Sequence, residues 1–184
     1  MLNINDTNFS GKRALIRVDF NVPLNSEREV TDDTRIRAAL PTIQKVIKDG
    51  GKAILMSHLG RPKNGSEEKY SLKHIAGKLG ELLGTKVKVA PNCVGEEVKA
   101  MADELDKGQV LLLENLRFHK EETAGDEFFA GQLAELGDVY VNDAFGTAHR
   151  EHASTAVIAR FFPENKLFGY LMEDEIKNID RVLY

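Results

Sequence analysis

The apolar residues of this chain fall into short continuous runs, separated by longer segments in which they recur every three or four positions. Ala14-Leu15-Ile16-Arg17-Val18, Ala53-Ile54-Leu55-Met56, Val110-Leu111-Leu112-Leu113 and Val139-Tyr140-Val141 have the length and content of strands buried on both faces. After the first, Ile36, Leu40, Ile43, Val46 and Ile47 define a helical face that Gly50-Gly51 stops; Pro41 predicts a kink there or two abutting helices. Leu72, Ile75, Leu79 and Leu82 define a second helix, with Ser71 as its expected N-cap and Gly84 as its end. Val87-Lys88-Val89 reads as a short strand, and Val94, Val98, Met101 and Leu105 as a third helical face. Asp126 is the expected cap of a helix carrying Phe128, Phe129, Leu133 and Leu136, ended by Gly137. Ser154 is expected to cap a short helix reaching Ala159, and Leu167 to Tyr170 to form a further strand. Met172, Ile176, Ile179 and Leu183 mark a last helix. This alternation predicts an α/β fold: a single domain built on a doubly wound, Rossmann-like parallel sheet with helices on both faces.

Open sheets of this kind bind ligands at the carboxyl ends of their strands. The four principal runs lead there into Asp19-Phe20-Asn21, Ser57-His58-Leu59-Gly60-Arg61-Pro62, Glu114-Asn115-Leu116-Arg117-Phe118-His119 and Asn142-Asp143-Ala144-Phe145-Gly146-Thr147-Ala148-His149-Arg150. The chain has 184 residues and a net charge of −4, so these cations matter through placement rather than number, and they suggest a pocket for a small anion. The same mild acidity argues against a nucleic-acid or membrane-surface partner, which would favour a broad basic face. A single cysteine, Cys93, excludes an intrachain disulfide, fits a reducing compartment and reads as a small buried apolar residue. Met1 to Asp6 lack the basic and apolar regions of a secretion signal, and no apolar stretch approaches the ~20 residues that cross a bilayer. A cytoplasmic protein is expected.

Neither the Rossmann glycine fingerprint nor the Walker pattern is present, and Gly50-Gly51-Lys52 precedes a strand rather than following one. His149 and His152 stand three residues apart, but Arg150 between them opposes a cation, so no metal is expected; no G-x-S-x-G elbow is present either. Asp19 and Asn21, two apart, would share one face of an extended backbone and bond a substrate hydroxyl. The alternatives for Asp19 are a turn cap or a pair with Arg17. His58 and Arg61 lie in a Gly-containing turn that would let backbone N–H groups approach a ligand. Arg35 could add a further guanidinium, the group suited to bidentate phosphate or carboxylate contacts.

At these residues the sequence resembles the phosphoglycerate kinase family, in its amino-terminal, substrate-binding half. The resemblance is carried by Arg17-Val-Asp-Phe-Asn-Val-Pro-Leu24, Thr34-Arg-Ile-Arg-Ala-Ala-Leu-Pro-Thr42, Ser57 to Pro62, Glu114 to His119, Asn142 to Arg150 and Gly169-Tyr-Leu-Met-Glu173, which run in family order along nearly the whole chain. It implies a site for 3-phosphoglycerate or 1,3-bisphosphoglycerate. His58, Arg61, Arg117 and Arg150 would surround the 3-phosphate, with the Leu59-Gly60 backbone completing the turn. Asp19, Phe20 and Asn21 would read the carbon-2 hydroxyl, and Arg35 would be the catalytic arginine. Four arginines balance a phosphomonoester of about −1.5 to −2 plus a carboxylate, with His58 and His149 adjusting the sum.

Against the family pattern the chain is about half length. The resemblance implies residues 1–170 as the phosphoglycerate-binding domain and 171–184 as the start of an interdomain helix. Mg-ADP or Mg-ATP would belong to a nucleotide domain outside this chain, which itself holds no cofactor. A monomer that binds the acid without turnover is expected. The rivals are a non-catalytic anion-binding or folding module, and an α/β protein for another sugar phosphate.

Overall fold

The computed structural model describes residues 2–148 and 150–183. Six parallel strands form one sheet: β1 (Arg13–Arg17), β2 (Lys52–Met56), β3 (Val87–Val89), β4 (Val110–Leu112), β5 (Val139–Asn142) and β6 (Lys166–Phe168), in the order β3-β4-β2-β1-β5-β6. The helices are α1 (Thr34–Lys48), α2 (Lys73–Leu83), α3 (Glu96–Asp103), α4 (Lys120–Ala124), α5 (Glu127–Ala134) and α6 (Tyr170–Leu183). From β1 through β3 the chain steps toward one edge of the sheet; from β3 to β6 it steps back past β1 to the other. With right-handed crossovers that reversal puts α1 and α2 on one face and α3 and α5 on the other.

Side chains alternate along a strand, so the two faces own two cores. Ala14, Ile16, Ala53, Leu55, Val110, Leu112 and Val141 pack with Ile36 and Ile43 of α1 and Ile75 and Leu79 of α2. Leu15, Ile54, Met56, Leu111 and Tyr140 pack with Val98 and Ala102 of α3 and Phe129 and Leu133 of α5. The doubly wound α/β prediction therefore holds, with strand ends shifted by one or two residues from those expected. Cys93 is buried, as expected. Among the described residues no helix is long and apolar enough to cross a membrane.

Local expectations differ at several points. α1 is one uninterrupted helix; Pro41 lies on its exposed flank, where water can reach the Arg37 carbonyl left without an amide donor. Ser71 does cap the start of α2, its Oγ accepting from the Lys73 amide at 3.2 Å, and Glu114 adds to the cap from a distance, accepting from the Leu72 amide at 2.8 Å and the Ser71 hydroxyl at 2.7 Å. Asp126 does cap α5, through the Phe129 amide at 2.7 Å, but Phe128 projects into solvent instead of the core. Val94 and Leu105 flank α3 rather than belonging to it, and α4 was not foreseen. Ser154 caps nothing: it sits inside a π-turn over Ala153–Val157, fully buried against Glu122. The predicted last strand and helix are present as β6 and α6, but the strand ends at Phe168, and Tyr170, expected in it, begins the helix. α6 packs on α1, where the Tyr170 amide donates to Thr42 Oγ1 at 3.0 Å.

A cationic site at the strand ends

Strands β4, β2, β1 and β5 are consecutive in the sheet, so the segments that follow them meet at its carboxyl edge. Each turns sharply because polar side chains bond back to backbone. After β1, Asp19 Oδ1 accepts from the Asn21 amide at 3.1 Å, and the Phe20 amide donates to Ser57 Oγ at 2.9 Å. Asp19 and Asn21 lie just past the end of β1, tied together by the first of these bonds. Asp19 does not pair with Arg17: its carboxylate lies 3.6 Å from the Arg35 guanidinium, which also donates to the Asn21 carbonyl at 2.8 Å. The Phe20 ring is wholly buried, leaving only its backbone at the edge.

After β2, the turn of His58 to Arg61 is locked from two sides. The Gly60 amide donates to Asn21 Oδ1 at 2.8 Å, and the Leu59 amide is taken by Asn115. Both amides are committed within the protein, so the expectation that they would be free to face a ligand does not hold in this structure. After β4, the Asn115 side chain also accepts from the Arg117 amide at 3.0 Å, which starts the short turn bearing Arg117. After β5, the Arg150 amide bonds the Thr147 carbonyl at 3.1 Å, with its side chain exposed; His149 lies outside the described residues.

The electrostatics show which groups come together. Arg117 is held below its ordinary value, first by burial and then by Arg17, Arg150 and Arg61, with Glu122 opposing. His58, almost fully buried, is pushed down to about 2, first by burial and then by the charges of Arg17, Arg117 and Arg35 and by His152. It therefore stays neutral and adds no charge to the balance drawn from the sequence. His152 is likewise depressed, by burial first and by Arg117, Arg17 and Arg150 against Glu122. Arg117 Nε and His152 Nδ1 are buried without a partner among the described residues. A cavity of about 690 Å³ opens between the loops, lined by Arg61, Lys63, Arg117, His119 and Lys120. Asn21, Leu59 and Gly60 instead line a separate cavity of about 410 Å³ beside Tyr70.

Sequence reasoning thus named the guanidinium groups of Arg35, Arg61, Arg117 and Arg150 but missed those that hold them. Arg17, Ser57 and Asn115 work through bonds to partners far along the chain, and His152 is buried with its Nδ1 unpartnered among the described residues. The signal for Arg17 was present, since a charged residue inside an otherwise apolar strand demands a buried partner.

The fold and these strand ends define an α/β domain with a cluster of cations at the carboxyl edge of a parallel sheet. The family model described as phosphoglycerate kinase matches residues 4–184. The phosphoglycerate kinase of Chloroherpeton thalassium is 58% identical over 173 residues, covering 94% of this chain and 43% of that protein. That of Porphyromonas gingivalis is 50% identical, covering 100% and 49%. A crystal structure of phosphoglycerate kinase from Pyrococcus horikoshii OT3 superposes with a TM-score of 0.89 at 35% identity, covering the whole chain and 46% of that one. The chain belongs to the phosphoglycerate kinase family, and it spans less than half the length of the relatives it matches.

Proposed function

We propose that this chain is the substrate-binding half of a phosphoglycerate kinase, and that its cationic edge holds 3-phosphoglycerate or 1,3-bisphosphoglycerate. His58, Arg61, Arg117 and Arg150 surround the 3-phosphate, and Leu59 and Gly60 form the turn that presents Arg61. Asp19, the Phe20 backbone and Asn21 read the carbon-2 hydroxyl and neighbouring oxygens. Arg35 is the catalytic arginine, stabilising charge on the phosphoryl group in transfer. The observation that supports this most is at Arg117, whose partly buried guanidinium feels three other arginines, Arg17, Arg150 and Arg61. Like charges gathered so closely favour a polyanion between them.

The complete protein transfers a phosphoryl group reversibly from 1,3-bisphosphoglycerate to ADP in glycolysis, giving ATP and 3-phosphoglycerate. Mg-ADP or Mg-ATP sits on a nucleotide-binding domain beyond this chain, and closure of the two excludes water. Residues 1–170 are the phosphoglycerate-binding domain, and 171–184 begin the helix leading to its partner. The protein is cytoplasmic and monomeric. Calorimetric titration of the 184-residue chain with 3-phosphoglycerate, beside a coupled assay for ATP formation, tests the reading. Saturable binding without turnover is expected; an absence of binding, or binding of unrelated phosphorylated acids equally well, overturns it.

A further inference from the structure

Beneath the cationic edge lies a buried polar chain whose hydrogen-bond directions are all forced. Glu122 is fully buried and accepts from both the amide of Ser154, at 2.9 Å, and its hydroxyl. With its proton turned to Glu122, the Ser154 oxygen accepts from Arg17 Nε at 3.0 Å. Arg17 Nη1 donates to the Val18 carbonyl, and Nη2 lies 3.0 Å from His58 Nδ1. Arg17 is 1% exposed, so its fork is fixed in the core of the strand end. A guanidinium has donors only. The ring nitrogen it faces must accept, and the imidazole proton must therefore sit on Nε2.

We infer that Arg17 is a positioning residue that fixes His58 as the neutral Nε2–H tautomer, so that this histidine offers a phosphoryl group an uncharged hydrogen-bond donor. The inference deepens the proposed function and rests on that reading for the identity of the acceptor. The groups that act most on His58 agree with it: Arg17 from β1, Arg35 from α1, Arg117 after β4 and His152 before the π-turn all disfavour a second proton on the ring. Glu122 is separated from the ring by Ser154 and Arg17. The division of labour is then clear. The arginines supply charge and His58 supplies direction. Affinity for a phosphomonoester between about pH 5 and 8 follows the ligand's own second ionisation, near pH 6, and carries no histidine step from His58.

Long-range proton–nitrogen correlation spectra of the ligand-free chain, labelled with ¹⁵N-histidine, test this directly. The expected result is a neutral Nε2–H ring at His58 throughout that pH range. An Nδ1–H ring, or a ring that protonates within it, overturns the inference. In Arg17→Met the ring should lose its single tautomer, and 3-phosphoglycerate should bind roughly tenfold more weakly as one charged-acceptor hydrogen bond is lost. Arg17→Lys, which keeps a donor-only cation, should restore the Nε2–H form; an unchanged tautomer in Arg17→Met counts against Arg17. If Arg17→Met fails to fold because Glu122 is stranded, the spectrum of the unaltered chain still decides. The expected tautomer without any 3-phosphoglycerate binding would support the role of Arg17 and sink the proposed function instead.

Discussion

Asn115 grips Leu59 by both of its backbone groups: Oδ1 accepts from the Leu59 amide at 3.2 Å, and Nδ2 donates to the Leu59 carbonyl at 2.7 Å. The same carboxamide takes the Arg117 amide at 3.0 Å and the Tyr70 carbonyl at 2.9 Å, and it is wholly buried. One side chain thus ties the turn bearing Arg61 to the turn bearing Arg117. Asn115→Leu keeps the branching and the number of side-chain heavy atoms and strands four backbone groups, each worth about 1–3 kcal/mol when buried and unpaired. We expect a loss of at least about 3 kcal/mol in urea unfolding. A loss below about 1 kcal/mol would mean that other contacts hold these turns.

Gly60 carries a positive φ of 62°, and a Cβ built there would overlap Cε1 of the Tyr70 ring. Gly60→Ala therefore meets two penalties, about 1–2 kcal/mol for the left-handed backbone and a displaced ring besides. Removing the ring should relieve only the second. The double variant with Tyr70→Ala is expected to be more stable than the sum of the single effects, and additivity in a double-mutant cycle would exclude the clash.

Arg61 and Arg13 sit at opposite ends of the sheet, and their removal should have opposite consequences. Arg61 is exposed at the carboxyl edge, so Arg61→Ala should weaken 3-phosphoglycerate binding roughly 10- to 150-fold while changing stability by less than about 0.5 kcal/mol. Arg13 begins β1, bonding Asp138 at 3.1 Å and Asp103 at 3.0 Å. Arg13→Ala should lower stability modestly and leave affinity unchanged. Calorimetry and denaturant titration on the two variants separate these outcomes.

The strands were legible because a strand buried on both faces is a continuous apolar run, and Leu15 and Ile16 serve different cores without breaking it. The arginines at the carboxyl edge were legible for the same reason, since each polar segment begins where a run stops. What escaped was carried by single side chains bonded far along the sequence. Ser71 announced the start of α2, but Glu114 completes that cap from more than forty positions away, which no local pattern announces. Ser154 has the residue type of a helix cap but its hydroxyl is committed to Glu122 in the interior. α4 has five residues and little apolar character, and no periodicity can develop over so short a span. The Leu59 and Gly60 amides fit an anion nest by residue type; only the fold shows that Asn115 and Asn21 reach them first.

Cys93 offers a direct measure of opening at the edge. It is fully buried, its Sγ donates to the Glu114 carbonyl at 2.8 Å, and burial with the nearby Glu122 and Glu114 pushes the thiol up. The thiolate is the reactive form, so alkylation of the folded chain should be negligible and should accelerate with urea in step with unfolding. Rapid labelling of the native chain would place Cys93 in a segment that opens on its own.

Asp143 predicts an unusual dependence of stability on pH. Its carboxyl is fully buried at the end of β5, bonded to Thr42 of α1 and, at 3.3 Å, to the Met172 amide at the start of α6; Oδ2 has no partner among the described residues. Burial is the main cause that raises it to about 7 from an ordinary 3.8, and Asp174 adds to the rise. Between those values the folded chain holds a proton that the unfolded chain has lost. Stability therefore falls as pH rises through this window and levels off above it. At about 1.4 kcal/mol per unit, the effect of this one group is on the order of 4 kcal/mol. Asp143→Asn keeps an oxygen for the Met172 amide and cannot ionise. The difference between parent and variant in urea unfolding, which cancels every other titrating group, should swing toward the variant from about pH 5 to 8. A difference that stays constant over that range would mean the carboxyl is already ionised in the folded chain, with its charge carried by the Thr42 and α6 contacts.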